Sequence, residues 1–315
     1  MALLFSYAGA DPESWRQEFA KHIPDLDFRV FPDVGDPADI AYVALWMHPL
    51  GDLRRYPNLK AILSFGAGVE HIIRDPELPE GVPIVRLVDD LVVRDMAMHA
   101  VHWVIHFHRN YHLYQQDQPK KLWRRHPHRD PAQRRVGFLG MGAMGAVAAT
   151  FVRDLGFSVA GWGRDPVSVE GVEFYQGDER LADFLRRTDI LINVLPLTPA
   201  TENLLNAERF ALLPAGACVI NISRGPILVE KDLVQALDSG HLEAAALDVF
   251  CSEPLAAQSP LWSHPKVFVT PHIAGINYAH SAARLMADNI KRIEAGSSRS
   301  RSTIRFAAIE PGRLR

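Results

Sequence analysis

One stretch constrains the fold of this chain more than any other: Arg134 to Gly145, RRVGFLGMGAMG. Val136, Phe138 and Leu139 make a short apolar run of strand type. The series Gly140-x-Gly142-x-x-Gly145 follows at once, and small and apolar residues then run on as AVAATFVRDLG to Gly156. This reads as strand, tight turn and helix. In such a unit the first glycine permits the turn and the second lets the backbone approach a pyrophosphate. The third lets helix pack on strand, and the helix N-terminus offers its N–H groups to the phosphates. A glycine series alone is a weak signal. The flanking strand and helix make it a dinucleotide-binding fingerprint.

At 315 residues the chain exceeds the size at which one core stops growing, which predicts two domains. Its 48% hydrophobic and 23% charged residues are those of a soluble globular protein. A net charge of -3 argues against a general nucleic-acid binder. No apolar run reaches membrane-spanning length, and no basic segment precedes the short apolar stretch at the N-terminus. Neither a membrane helix nor a signal peptide is expected. Cys218 and Cys251 are too few for a disulfide framework, and a reducing cytoplasm fits them.

Residues 1 to about 90 read as a small α/β unit. Leu3–Tyr7, Phe28–Phe31, Ala41–Trp46, Ala61–Ser64 and Ile84–Leu87 have strand character, with polar or amphipathic pieces such as Pro12–His22 and Leu50–Tyr56 between them. That alternation predicts a parallel sheet. Directly after one strand comes Ser64-Phe65-Gly66-Ala67-Gly68, whose backbone N–H groups could form a nest for a carboxylate or simply a tight turn. Residues 91 to about 115 predict one long helix carrying His99, His102, His106, His108 and His112. His99, His102 and His106 share a face at zinc-like spacing, but no carboxylate or cysteine is spaced to complete a site, so no metal is expected. Gln115–Arg135, with three prolines, reads as a surface connection.

In the second half, the strand Phe157–Gly163 ends in Gly163-Arg164. An acidic residue near this point takes the ribose 2′-hydroxyl of NAD, whereas an arginine accommodates a 2′-phosphate. Gly163 and Arg164 therefore favour NADP, while Asp165 keeps NAD open. The strand Asp189–Val194 leads into Leu195–Thr201, a proline-stiffened loop expected beside the cofactor. Three further strands come after it. Cys218–Ile222 ends in Ser223-Arg224-Gly225. Ala244–Phe250 precedes Cys251-Ser252-Glu253-Pro254. Val267–Thr270 precedes Pro271-His272-Ile273-Ala274-Gly275. Each charged residue has a plain alternative: Arg224 a surface ion pair, Glu253 a turn carboxylate, His272 a helix cap. Three of them at matching strand ends beside a dinucleotide fingerprint point instead to one catalytic edge.

The segments GFLGMGAMG, LPLTPAT, NISRG, LDVFCSEP and TPHIAG, in this order, resemble the D-isomer-specific 2-hydroxyacid dehydrogenases. ALWMHP, SFGAGVEHI, GWGR and SPLWSHPKVFVTPHIA resemble the glyoxylate/hydroxypyruvate reductase branch of that family. The resemblance implies two Rossmann-like, doubly wound parallel-sheet domains with a cleft between them. Residues 1–95 and 276–315 would form a flavodoxin-like substrate domain, residues 96–275 the dinucleotide domain, and the chain a homodimer. It implies reduction of small 2-oxo acids by NADPH or NADH. Arg224 would clamp the substrate, His272 act as acid/base and Glu253 hold the histidine and favour the imidazolium. Gly66, Ala67 and Gly68 would receive the substrate carboxylate, and Trp46, with Phe65 and Trp262, would wall a small pocket. Cofactor contacts are implied at Gly140, Gly142, Ala143, Met144 and Gly145, at Gly163 and Arg164, at Leu195, Pro196 and Thr201, and at Ile222, Ser223, Asp248, His272 and Ala274. Arg94-Asp95 departs from the family's small-then-acidic pair. A dinucleotide-sensing, corepressor-like binding protein and a dehydrogenase for another D-2-hydroxy acid are the alternative readings. After Gly296, Arg299, Arg301, Arg305, Arg313 and Arg315 against Glu310 make a basic tail that could touch acidic partners.

Overall fold

The computed structural model describes residues 1–296 together with Thr303 and Ile304; the arginines of the basic tail lie outside the described residues. The chain divides into two compact units, one of Met1–Val92 with the segment from Asn277 onward, the other Val93–Ile276.

The first unit holds β1 (Ala2–Tyr7), β2 (Asp27–Val30), β3 (Ile40–Trp46), β4 (Ala61–Ser64) and β5 (Ile84–Val85). They lie parallel in the order β2-β1-β3-β4-β5, the flavodoxin-like winding, with the direction of winding reversing between β1 and β3. The strands are near-continuous apolar runs because helices cover both sheet faces. Helix Pro12–His22 starts where Asp11 accepts the N–H groups of Glu13 and Ser14, with proline in its first turn. Helix Ala279–Glu294 returns to this unit with Ala282, Ala283, Met286, Ala287 and Ile290 buried, the spacing of one helical face. Its far end is fixed by Glu294, which accepts from Tyr42 at 2.7 Å and Lys60 at 2.8 Å.

The second unit holds β6 (Arg135–Leu139), β7 (Ser158–Gly163), β8 (Glu173–Gln176), β9 (Ile190–Asn193), β10 (Ala217–Asn221), β11 (Leu242–Leu247) and β12 (Val267–Val269). All are parallel, in the order β12-β11-β10-β9-β6-β7-β8. A short β13 (Thr303–Ile304) pairs antiparallel with β5 in the first sheet. Register brings the strand ends of the second sheet level. Leu139 pairs with Asn193, Asn193 with Asn221, Asn221 with Leu247 and Leu247 with Val269. The last residues of five strands therefore form one row, and five loops leave the sheet along one edge.

One local expectation is corrected, and one strand was not foreseen. The histidine-bearing helix is not continuous over 91–115: it runs Asp90–His108, breaks at Asn110 (φ 58°), and resumes as Tyr111–Asp117. Asparagine tolerates the left-handed conformation, and the Asn110 side chain donates to Pro127 O at 2.7 Å. Edge strand β8, EFYQ, carries too little apolar character to be recognised as a strand in the sequence.

At the opposite sheet edge, buried Asp189 accepts from Arg135 three times: backbone N at 2.9 Å, Nε at 3.0 Å and Nη2 at 2.7 Å. Burial pulls its carboxyl upward, but these bonds and the Arg135 charge outweigh it and hold the group below the ordinary range. A depressed folded-state pKa means that this stabilisation is present above the ordinary carboxylate pKa and is lost as pH falls through the depressed one. Asp189→Asn should cost about 1–3 kcal/mol at neutral pH, the penalty for poorly satisfied buried groups. It should also flatten the acid limb of stability against pH. Urea titrations of both proteins at a series of pH values check this.

Candidate active site

The three glycines of the fingerprint have separate tasks. Gly140 has φ +99°, and a Cβ there would lie 3.0 Å from the Val194 carbonyl. At Gly145 a Cβ would come within 2.0 Å of Gly140 O, so only glycine lets the helix start this close to the strand. At Gly142 a Cβ would meet nothing within 4 Å. Gly142 and Ala143 are exposed, Met144 is half-buried, and no side chain caps the helix Ala143–Asp154. Open space beside a bare backbone and an uncapped helix N-terminus suits a pyrophosphate, so the residues present fit a dinucleotide.

Gly163 closes β7 without a carboxylate. Exposed Arg164 sends its Nε to 3.6 Å from Asp178 Oδ1, an exposed and weak pairing that an anionic ligand can displace. Asp165 is exposed beside it. On the other side of β6, the loop Leu195–Thr201 is shaped by its own hydroxyls. Thr201 Oγ1 donates to Pro196 O at 2.6 Å and accepts from Thr198 N at 2.8 Å. Ser223 Oγ donates to Leu195 O. Ile222 is buried, with its N–H on Asn193 O at 3.3 Å.

His272 pairs closely with Glu253. Its Nδ1 lies 2.7 Å from Glu253 Oε2. A carboxylate only accepts, so Nδ1 holds the proton and proton exchange with a ligand falls to Nε2. Glu253 Oε1 in turn accepts the Phe250 N–H at 3.0 Å. Burial raises the Glu253 pKa, but the bonds from His272 and Phe250 and the charges of His272 and Arg224 outweigh it and leave the carboxyl below its ordinary range. His272 itself sits at φ 55°, an unfavourable left-handed conformation for a residue with a Cβ. Buried Asp248 imposes it. One carboxylate oxygen accepts from Thr270 Oγ1 at 2.6 Å and Ile273 N at 2.8 Å, the other from Ala274 N at 2.8 Å. The His272 N–H donates to Asp248 O at 2.8 Å. Asp248, expected as a cofactor contact, thus has a clear structural task.

Arg224 is placed by crowding. A Cβ on Gly225 would lie 1.9 Å from the Phe250 carbonyl carbon and 2.4 Å from Cys251 N. The chain therefore passes hard against the loop that carries Glu253. Arg224 Nη1 donates to Ser223 O at 2.7 Å.

In the first unit, described by itself, Trp46 closes β3 and its ring stands where a Gly66 side chain would be, with Cζ3 2.5 Å from that Cβ position. The Trp46 ring packs on His71 with centroids 4.4 Å apart. The Gly66 N–H donates to Ser64 Oγ at 3.1 Å. Of the glycine-rich loop, Ala67 and Gly68 have no such hydrogen bond among the described residues. Phe65 packs into the core with Phe5, Tyr7 and Trp15. In the second unit half-exposed Trp262 donates to Ala256 O. His99 accepts from Trp103 Nε1 at 2.9 Å, and burial pushes the His106 pKa down to about 4. Among the described residues no three His, Cys, Asp or Glu side chains are placed to share a metal.

The structure thus gathers Gly140–Gly145, Leu195–Thr201, Ile222–Arg224, Asp248–Glu253 and His272–Ala274 on one sheet edge, with Gly163 and Arg164 ending β7 on the far side of the fingerprint. Sequence reading missed Asn193, Asn221 and Thr270, which hold the loops in place. The signal was present: β9 (ILIN) and β10 (ACVIN) each end an apolar run with asparagine.

Residues 101–274 match the family model described as the NAD binding domain of D-isomer specific 2-hydroxyacid dehydrogenase. A glyoxylate/hydroxypyruvate reductase A of Serratia proteamaculans is 38% identical over 307 residues, covering 95% of this chain and 96% of its own. A D-isomer specific 2-hydroxyacid dehydrogenase of Xanthobacter autotrophicus Py2, solved with NADPH and MES, superimposes with TM-score 0.91 at 40% identity, covering 96% of this chain and 97% of its own. An NADPH-dependent glyoxylate/hydroxypyruvate reductase of Sinorhizobium meliloti, solved with NADP and sulfate, gives TM-score 0.87 at 33% identity, covering 96% and 98%.

The glycine geometry separates binding from folding. Gly142→Ala should leave stability within about 0.5 kcal/mol. Dinucleotide affinity should still fall by about tenfold or more, because a methyl group enters the pyrophosphate's approach. Gly145→Ala should lose both stability and binding. Thermal melts and NADPH fluorescence titrations distinguish the two variants.

Proposed function

This chain belongs to the D-isomer specific 2-hydroxyacid dehydrogenase family, and we propose that it reduces small 2-oxo acids, glyoxylate and hydroxypyruvate foremost, to 2-hydroxy acids with NADPH as preferred donor. The observation that carries this reading is the 2.7 Å His272–Glu253 pair, with Arg224 close enough for its charge to depress the Glu253 carboxyl. A proton donor, its orienting carboxylate and an anion clamp are the groups that carbonyl reduction of a 2-oxo acid requires of a protein.

Bound reduced nicotinamide supplies the hydride. Arg224 grips the substrate carboxylate and the 2-oxo oxygen with its forked N–H groups, each charge-assisted bond contributing about 1.5–3 kcal/mol. The clamp accelerates the reaction to the extent that negative charge grows on that oxygen. His272 delivers its Nε2 proton to the same oxygen, while Glu253 fixes the ring and stabilises the imidazolium. In this reading Ala67 and Gly68 offer N–H groups to the substrate carboxylate, and Trp46 restricts the pocket to small side chains. Gly163 and Arg164 support the 2′-phosphate. The NADPH and NADP complexes of the Xanthobacter and Sinorhizobium proteins agree with that preference.

We further propose a cytoplasmic homodimer. Cys218 and Cys251 are both unpaired thiols, and no helix among the described residues is long and apolar enough to cross a membrane. Trp123 is fully exposed, beside half-exposed Leu122. Their loop is a built feature, since buried Asp117 takes a fork from Arg124 at 2.9 and 2.7 Å and a bond from His126 at 2.7 Å. An ordered loop that exposes a whole indole ring suits contact with a second copy. Trp123→Asp should convert the dimer to monomer in light-scattering chromatography; an unchanged dimer assigns the interface elsewhere.

The test of activity is the absorbance decay of NADPH and NADH with glyoxylate and with hydroxypyruvate. NADPH should be oxidised faster with both acids. His272→Ala should lower turnover by about 10²–10⁴-fold with NADPH affinity retained. The depressed Glu253 carboxyl stays ionised through mildly acidic pH, so no acid loss from that group is expected above the ordinary carboxylate range. Tight NADPH binding without turnover of any 2-oxo acid would replace this reading with the dinucleotide-sensing one.

A further inference from the structure

Beneath the edge where the loops leave β9 and β10 lies a closed set of buried hydrogen bonds that the chemistry above does not use. Asn193 and Asn221 close adjacent strands, pair in register, and are 0% and 1% exposed. Asn193 Nδ2 donates to Asn221 Oδ1 at 3.0 Å. The other end of the Asn193 amide, Oδ1, accepts the Leu195 N–H at 3.2 Å. Asn221 Oδ1 also accepts the Ser223 N–H at 3.3 Å, and Asn221 Nδ2 donates to Arg224 O at 3.2 Å. Ser223 Oγ closes the circuit on Leu195 O.

The circuit runs from the first residue of the Leu195–Thr201 loop to the backbone of Arg224. It is satisfied at both amide ends, and low local dielectric makes such buried networks strong and intolerant of partial change. Arg224 is held on its other flank as well, by the Gly225 crowding against the Phe250–Cys251 peptide. Its carbonyl also accepts the Ile227 N–H at 3.4 Å, so its main chain is confined between the asparagine pair, this turn and the Phe250–Cys251 peptide. Leu195 is likewise held at both its N–H and its carbonyl by this circuit.

From this geometry we infer that Asn193 and Asn221 are positioning residues that couple the dinucleotide loop to Arg224, so that filling the first tightens carboxylate binding at the second. The inference rests on the reading that a dinucleotide lies along Leu195–Thr201 and a substrate carboxylate on Arg224. At 0% and 1% exposure neither asparagine is open to a ligand. A ligand that orders Leu195 orders the Arg224 carbonyl through two side-chain amides, and by linkage a carboxylate on Arg224 tightens dinucleotide binding by the same factor. Asparagine suits both positions because each amide must donate at one end and accept at the other. Aspartate at 221 would leave the Arg224 carbonyl with only the Ile227 N–H at 3.4 Å and would bury a charge.

The test separates this coupling from direct contact between the two ligands. Oxalate stands in for the 2-oxo acid. 2′-Phospho-ADP-ribose, which lacks the nicotinamide ring, stands in for the dinucleotide. Calorimetry on the full-length protein measures oxalate affinity with and without the nucleotide. In the wild type the nucleotide should tighten oxalate about tenfold, within the usual range of coupling between sites. Asn193→Ser, Asn221→Ser and the double variant should reduce that factor to about twofold or less. Each should keep nucleotide affinity in the absence of oxalate within about threefold of wild type, because no ligand contact has been removed. The double variant should be no worse than either single one, since all three break one circuit. In turnover, the KM for glyoxylate at saturating NADPH should rise about tenfold, and the tightening of nucleotide binding by oxalate should be lost by the same factor. A wild type with no coupling, or variants that retain it, overturns the inference. Loss of coupling in the variants upholds it even if the wild type reduces no 2-oxo acid, an outcome that would overturn the activity alone.

Discussion

The site depends first on one buried carboxylate. Asp248 is 1% exposed, and charge at such depth is tolerated only when hydrogen bonds replace water. Here a hydroxyl and two backbone N–H groups do so, and all three belong to the turn around His272. That turn requires a left-handed conformation at a residue with a full side chain, which costs about 1–2 kcal/mol when nothing compensates it. The compensation and the constraint are the same contact. Asp248 leads out of β11 in register with its neighbours, so the histidine is placed relative to the whole sheet rather than by a mobile loop.

Close approach of backbone to backbone is the second constraint. Gly145 lets a helix begin against Gly140 O, and Gly225 lets Arg224 pass against the Phe250–Cys251 peptide. In each case the absent Cβ is a packing requirement. Gly142 differs, because the space beside it is open. In one glycine series, then, two positions are required by packing and the third faces open space.

Electrostatics completes the arrangement. Glu253 keeps 34% of its side chain exposed, and the hydration it has lost, which alone would favour its neutral form, is outweighed by its partners. The result is a charged acceptor oriented by the Phe250 N–H and aimed at Nδ1 of His272. An orienter of this kind fixes tautomer and ring direction together. Arg164 is the contrast. It is exposed and only weakly paired with Asp178.

The sequence by itself determined the alternation of strands and helices, the dinucleotide fingerprint, and the chain positions of Arg224, Glu253 and His272. Those features are local: apolar runs of strand length, glycines at a fixed spacing, charged residues just past strand ends. Tertiary structure decided the rest. It broke the histidine-rich helix at Asn110 and drew polar EFYQ into the sheet as an edge strand. It buried Phe65 in the core, whereas the sequence reading places it at a pocket wall. It also revealed that Asp248, Thr270, Asn193 and Asn221 work by holding other residues. Such roles depend on which strand ends become neighbours, and that is set by the order β11-β10-β9-β6 and its register. Residues far apart in the chain acquire a shared task only when the sheet closes the distance, because hydrogen bonds act over about 3 Å and carry no trace along the sequence.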